Sequence, residues 1–351
     1  MNKDRAEAFH QAHPICDMLG INLNHPRFLV DDIDLGQRQD SFRGCFPKFR
    51  QWGLSLVVCK GGVAQYSDEF AALWRQQPEW RPGRPNAEGL YLSMAVKSPT
   101  QILLAVLDRF LVNVETYPDQ VLLVRSVADI ERARQSGRTA LLMGANRSDW
   151  FGDSPGVLRQ LARLGLRMIT IGQATRELGW DTSNDTRSGG RLTQLGVRMI
   201  EEMNQQGILI DLAHTNEPCA LDAIEVSRHP VIDSHSAPLT LEAGDRSTSD
   251  KVLRALAAKG GMLGITPPIS RPPGETPYTT IDPEQMRQTL TQIRYTADLI
   301  GPQHVGIGTH FTTALLPFVT EALLEDGFSE ADTAAIMGGN YLRVLKQVLP
   351  E

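Results

Sequence analysis

Residues 207–238 read GILIDLAHTNEPCALDAIEVSRHPVIDSHSAP. An aliphatic run after Gly207 passes through a polar stretch at His214, continues into a segment of helical character (NEPCALDAIEVS), and returns to a second apolar run, PVIDS, that stops at His235. Both runs are almost continuously apolar instead of alternating, as expected of strands covered on both faces by other structure. The stretch therefore predicts a strand–helix–strand unit with a histidine at the end of each strand.

The same alternation extends in both directions. Upstream, RTALLMG leads into SPGVLRQLARLG, where Ser154 is placed as N-cap, Pro155 as first helical residue and Gly165 as terminator. LRMITIG follows, and then a helix in which Leu192, Leu195, Met199 and Met203 share one face. Downstream come SDKVLRALAAKGG as helix, GMLGIT as strand, DPEQMRQTLTQIRYTADLIG as a long helix and HVGIGTHF as the last strand. With PICDML and LSLVVC near the start, eight strands with helical connections are expected, which predicts a single-domain (β/α)8 barrel over residues 1–351. An open doubly wound sheet is disfavoured because no G-x-G-x-x-G follows a strand. Residues 61–118, which include RQQPEWRPGRPNAEG, are expected to form a helical and loop insertion, either covering the barrel mouth or running over the surface.

Composition narrows the function. The chain has 351 residues, a net charge of -6, 41% hydrophobic residues and no basic run, so neither nucleic acid nor an anionic membrane is an expected partner. Small molecules are. The amino terminus carries charges of both signs without a continuous apolar segment, no later segment is long and apolar enough to span a bilayer, and the reading is of a cytoplasmic protein. Four scattered cysteines, Cys16, Cys45, Cys59 and Cys219, show no C-x-x-C spacing and are expected as core residues in a reducing compartment.

In a barrel of this kind the chemistry sits at the C-terminal strand ends. Those positions hold Asp17, Cys59 with Lys60, Ala145 with Asn146, Gln173, His214, His235, Thr266 and His310. Histidines at adjacent strand ends can converge on one metal ion, or act as acids and bases themselves. His214, His235, His310 and Asp17 are the candidate catalytic groups; Lys60, Gln173 and Asn146 are candidates for binding substrate. Trp150 and Trp180 are read as pocket walls or packing. His10, His13, His25, His229 and His304 fall at strand starts or in loops and are not placed in the site.

The motifs GVRMIEEMNQQGILIDLAHTN, PVIDSHSAP, Arg246 within EAGDRSTSD, HVGIGTHF and MGGNYLRVL together resemble the renal (membrane) dipeptidase family of metallopeptidases, from about residue 138 onward. The resemblance implies a (β/α)8 barrel with two zinc ions bridged by a glutamate, dipeptide hydrolysis and, often, a homodimer. It matches His214 and His235 to the histidines of the second zinc and Arg246 to the arginine that grips the substrate carboxylate. Elsewhere the pattern is broken. Leu19 and Ile21 stand where the first strand should supply His and Asp, and Ala145 stands at or beside the bridging glutamate. Gln173 replaces a substrate-polarising histidine, and His310 an aspartate.

A dinuclear zinc centre is therefore not expected, because almost no anionic ligand remains. The expected cofactor is none or a single zinc, held by His214 and His235 with His310 as third ligand. Asp233, one layer deeper if the strand is regular, is a weaker alternative. Three readings stay open: a divergent hydrolase of a small peptide or amide with a free carboxylate; a metal-free lyase, isomerase or condensing enzyme on an amino-acid-derived biosynthetic intermediate; and a binding protein without turnover.

Overall fold

The computed structural model describes residues 3–23, 34–37, 45–61, 99–148, 150–173, 176–183, 189–244, 246–267 and 282–351. Eight parallel strands follow one another around a barrel: β1 (Cys16–Asn22), β2 (Leu56–Gly61), β3 (Thr139–Asn146), β4 (Met168–Thr170), β5 (Leu209–Asp211), β6 (Ile232–Pro238), β7 (Met262–Ile265) and β8 (Val305–Ile307). Neighbours along this series are paired in parallel register. The ring closes between its ends, where Phe311 N donates to Leu19 O at 2.8 Å. The fold is the expected (β/α)8 barrel. Two short strands, Val121–Leu123 beside β3 and Ser247–Thr248 beside β6, were not anticipated, since two or three residues carry no readable period.

The connecting helices begin and end where local chemistry directs. In Pro155–Leu164, Ser154 Oγ accepts from Val157 N, proline occupies the first turn, and Gly165 ends the helix at φ 112°, a conformation costly to any residue with a Cβ. Thr193, Asn216 and Ser249 cap the helices Gln194–Gln206, Glu217–Val226 and Asp250–Ala258 in the same way. Of the proposed insertion at 61–118, the helix Pro99–Thr116 is described and residues 62–98 lie outside the described residues. Among the described residues, no helix is long and apolar enough to cross a membrane.

Side chains pointing into the barrel form layers. Met18, Leu56, Val58, Leu142, Met168, Leu209, Ile232 and Met262 fill the lower part and pack on Tyr341, Val344, Leu345 and Val348 of the helix Asn340–Val348, which plugs the bottom. Asn340 fixes that helix by donating to the carbonyls of Pro302 and Val305 at 2.8 and 2.9 Å. A second cluster fills the space between the strands and the surrounding helices. Above the apolar layer the barrel turns polar, with Lys60, Thr170, Asp211 and Ser234 all buried. These residues form the floor of the mouth.

Asp17 belongs to the seam of the barrel, which corrects its expected place among the acid/base groups. Its Oδ1 accepts from Leu19 N and Thr309 N, each at 3.0 Å, and its Oδ2 accepts from Thr309 Oγ1 at 2.6 Å. The side chain is fully buried and ties the first strand to the residues that follow the last. Burial pushes its carboxyl up to about 6, against the opposing pull of these hydrogen bonds. Because the folded value lies above the unfolded one, the folded state holds the proton more tightly, and stability falls as pH rises from about 4 to about 6. Asp17→Asn removes this dependence. Measured by urea unfolding, the variant should gain about 2–3 kcal/mol relative to the parent between pH 4 and pH 7; a difference that stays constant with pH would contradict the assignment.

Candidate active site at the barrel mouth

The mouth is built on strained backbone. Among the described residues, the non-glycine positions with positive φ are Arg147, His214, His310 and Phe311, and each follows the C-terminal end of a barrel strand. Such residues cost of order 1–3 kcal/mol each and persist only where their surroundings hold them. At His214 (φ 66°) the holding is visible. Its carbonyl accepts from Ser183 N, Thr182 Oγ1 and Ser183 Oγ at 2.8, 2.9 and 3.0 Å, so the loop after β4 clamps the turn after β5.

His235 reaches the same space by a different irregularity. The pairing of β6 with β7 shifts register between Asp233 and Ser236. In a regular strand consecutive side chains point to opposite faces, yet Ser234 Oγ lies 2.7 Å from His235 Nδ1. Glycines make room for the distortion: a Cβ on Gly264 or Gly308 would come within 2.2 or 2.0 Å of Ser234 O. The bulge also redirects Asp233. Instead of lying beneath His235, it accepts from Ser236 Oγ at 2.6 Å and Thr248 Oγ1 at 2.5 Å and anchors the short strand that follows Arg246. Burial and the nearby Asp211 charge push its carboxyl up to about 6.

Three of the expected residues come together. His214 Nε2 and His235 Nε2 are 3.2 Å apart, their ring centroids 5.1 Å apart, and the His310 ring lies 5.5 Å from that of His235. His235 is buried, while His214 and His310 are partly exposed. Burial, the Lys60 charge, the two neighbouring imidazoles and Arg246 hold His235 well below the usual histidine range, so it is neutral. Gln173 follows β4 and Asn146 ends β3, where its Oδ1 lies 3.2 Å from Thr170 Oγ1. Trp150 and Trp180 are buried, with indole N–H groups donating to Asn146 O and Glu177 Oε2.

The residues present do not fit the two-zinc centre that the sequence resemblance implies. Leu19, Ile21 and Ala145, at or beside which that resemblance implies ligands, are buried apolar side chains. Among the described residues, no group of three His, Cys, Asp or Glu side chains is disposed to hold a metal ion. The His214–His235 pair, 3.2 Å apart, has suitable spacing, since two nitrogens each about 2.0–2.1 Å from a tetrahedral ion stand roughly 3.3 Å apart. His310, the expected third ligand, is not in that arrangement.

Lys60 does not reach the mouth, contrary to its expected role in binding substrate. It is fully buried beneath it, donating to Asp211 Oδ2 at 2.5 Å, Thr170 Oγ1 at 2.9 Å and Ser234 Oγ at 3.1 Å. Burial raises the Asp211 carboxyl, but the Lys60 charge and hydrogen bonds from Lys60, Thr170 and Ser234 outweigh it and leave the group below the usual carboxylate range. Sequence reading missed Asp211, Thr170 and Ser234, although Thr170 and Asp211 are each the polar residue that ends an apolar strand. Removing one member of a buried pair strands the other charge, so Lys60→Met should cost about 3–5 kcal/mol in chemical denaturation. Lys60→Met/Asp211→Asn should recover more than half; equal losses in both variants would show that the pair is not the cause.

Comparison with known proteins shows the family. The family model for membrane dipeptidase (peptidase family M19) matches residues 84–349. Dipeptidase verJ of Clonostachys rogersoniana is 32% identical over 247 residues, covering 67% of this chain and 62% of that protein. Dipeptidase tcpJ of Claviceps purpurea (strain 20.1) is 32% identical over 249 residues, covering 67% and 57%. The chain thus spans about three fifths of the length of these relatives. The crystal structure of the probable dipeptidase PvdM from Pseudomonas aeruginosa superposes with a TM-score of 0.78 at 21% identity, over 99% of this chain and 98% of that one, which supports the fold. The extent of the family match and the identity to the fungal proteins lead to one assignment: this chain belongs to the membrane dipeptidase family, peptidase family M19.

Proposed function

We propose that the protein is a divergent dipeptidase-like hydrolase, acting on a small peptide or amide with a free carboxylate and using at most one metal ion. The observation that carries this reading is the meeting of His214 Nε2 and His235 Nε2 at 3.2 Å, with the His310 ring 5.5 Å from that of His235. The fungal relatives named dipeptidases support the substrate class. One divalent ion between the two nitrogens would supply Lewis-acid polarisation of the scissile carbonyl.

The remaining roles belong to the chain's own groups. Arg246 binds the substrate carboxylate through charge-assisted hydrogen bonds. His310, partly exposed at the rim, takes a proton from the attacking water and returns it to the departing amine. Neutral His235 offers an unprotonated nitrogen to the reacting centre. A second reading, a metal-free acid/base enzyme on an amino-acid-derived intermediate, is favoured by one specific feature. Leu19, Ile21 and Ala145 leave the missing metal subsite without a donor, whereas the three histidines remain.

Protein purified without chelator should contain at most one equivalent of zinc by elemental analysis and should cleave members of a dipeptide panel. Two equivalents would refute the metal stoichiometry. Failure to cleave any dipeptide or amide, with turnover of an amino-acid-derived compound insensitive to chelator, would establish the second reading. On a cleaved substrate, Arg246→Met should raise KM by about 10- to 100-fold with little change in kcat. His235→Ala should lower kcat by at least about 100-fold.

A further inference from the structure

The buried groups below His235 determine which of its ring nitrogens carries hydrogen. Three partners surround Ser234 Oγ: Asp211 Oδ2 at 2.7 Å, Lys60 Nζ at 3.1 Å and His235 Nδ1 at 2.7 Å. A hydroxyl offers one proton and two lone pairs. Lysine only donates, and an ionised carboxylate only accepts. Asp211 is ionised, with Lys60, Thr170 and Ser234 side chains on Oδ2 and the amides of Ala213 and Ser234 on Oδ1. The Ser234 proton therefore goes to Asp211, and one lone pair receives Lys60. The remaining lone pair is left for His235, which must donate from Nδ1. The reverse assignment would set serine lone pairs against a carboxylate at 2.7 Å with no proton between them, in a region closed to water.

We infer that Lys60, Asp211 and Ser234 form a positioning relay that locks His235 in its Nδ1–H tautomer, so that Nε2 is an unprotonated acceptor, 3.2 Å from His214 Nε2. None of the three touches the mouth itself, and all act through His235. A bare Nε2 is what a general base needs, and equally what a ligand to a cation needs. The tautomer assignment stands independently of the proposed hydrolysis; only its kinetic consequence rests on that reading.

The test is a long-range proton–nitrogen correlation spectrum of the full-length protein labelled with 15N-histidine, with His235 assigned by its loss in His235→Gln. The parent protein should show a protonated Nδ1 and a bare Nε2. Ser234→Ala should release the ring to a mixture of tautomers or to the Nε2–H form. Lys60→Met/Asp211→Asn, which removes both buried charges together, should do the same and covers the case in which Ser234→Ala does not fold. A parent ring protonated at Nε2, or an unchanged pattern in both variants, overturns the inference. Where an amide substrate is cleaved, Ser234→Ala should lower kcat by about 10- to 100-fold with KM nearly unchanged. If no substrate is cleaved, the hydrolase reading fails while the spectrum still decides the tautomer.

Discussion

Lys60 and Asp211 occupy positions that neither could occupy alone. An unpaired ion sealed inside the barrel would carry a desolvation penalty of several kcal/mol, and each relieves the other's. Apolar side chains of similar volume would fill the same space at no loss of stability, so the pair is poorly explained as a stabilising device. Its value lies in direction. By spending the Ser234 proton on a carboxylate, it dictates how the neighbouring imidazole must present itself. The register shift in β6 and the glycines beside it then carry that imidazole to the mouth.

The same constraint gives the departures from the family pattern a common logic. Where the resemblance implies a histidine and two acidic ligands stand Leu19, Ile21 and Ala145, while His214, His235 and Arg246 match the pattern it implies. Among the described residues, the carboxylates beneath the mouth and at the seam are committed elsewhere: Asp211 to Lys60, Asp233 to Thr248 and Ser236, and Asp17 to Thr309.

Much of the fold was legible in the sequence because parallel barrel strands are long apolar runs bounded by strong caps and terminators, as at Ser154, Pro155 and Gly165. The histidine cluster was legible for a related reason: a histidine directly after an apolar run can be placed by topology alone. Asp17 and Lys60 were misplaced because sequence position gives the strand end but not the direction or partner of a side chain. Asp17 looks outward to the seam and Lys60 downward into the barrel. Asp233 was misread through the assumption of a regular pleat, which a bulge undoes by shifting one residue. The short strand Ser247–Thr248 exists because Asp233 holds it, a contact that no local pattern records.

The closure of the barrel has a kinetic corollary. Asp17 and Thr309 are separated by 292 positions. The amino-terminal strand thus emerges from the ribosome long before the segment that completes its bonding, and its edge stays open through most of synthesis. Contacts of such sequence separation form late and leave unpaired edges exposed meanwhile. For this chain, the bonds of the first strand across the seam are completed only after the segment that follows the last strand has been made.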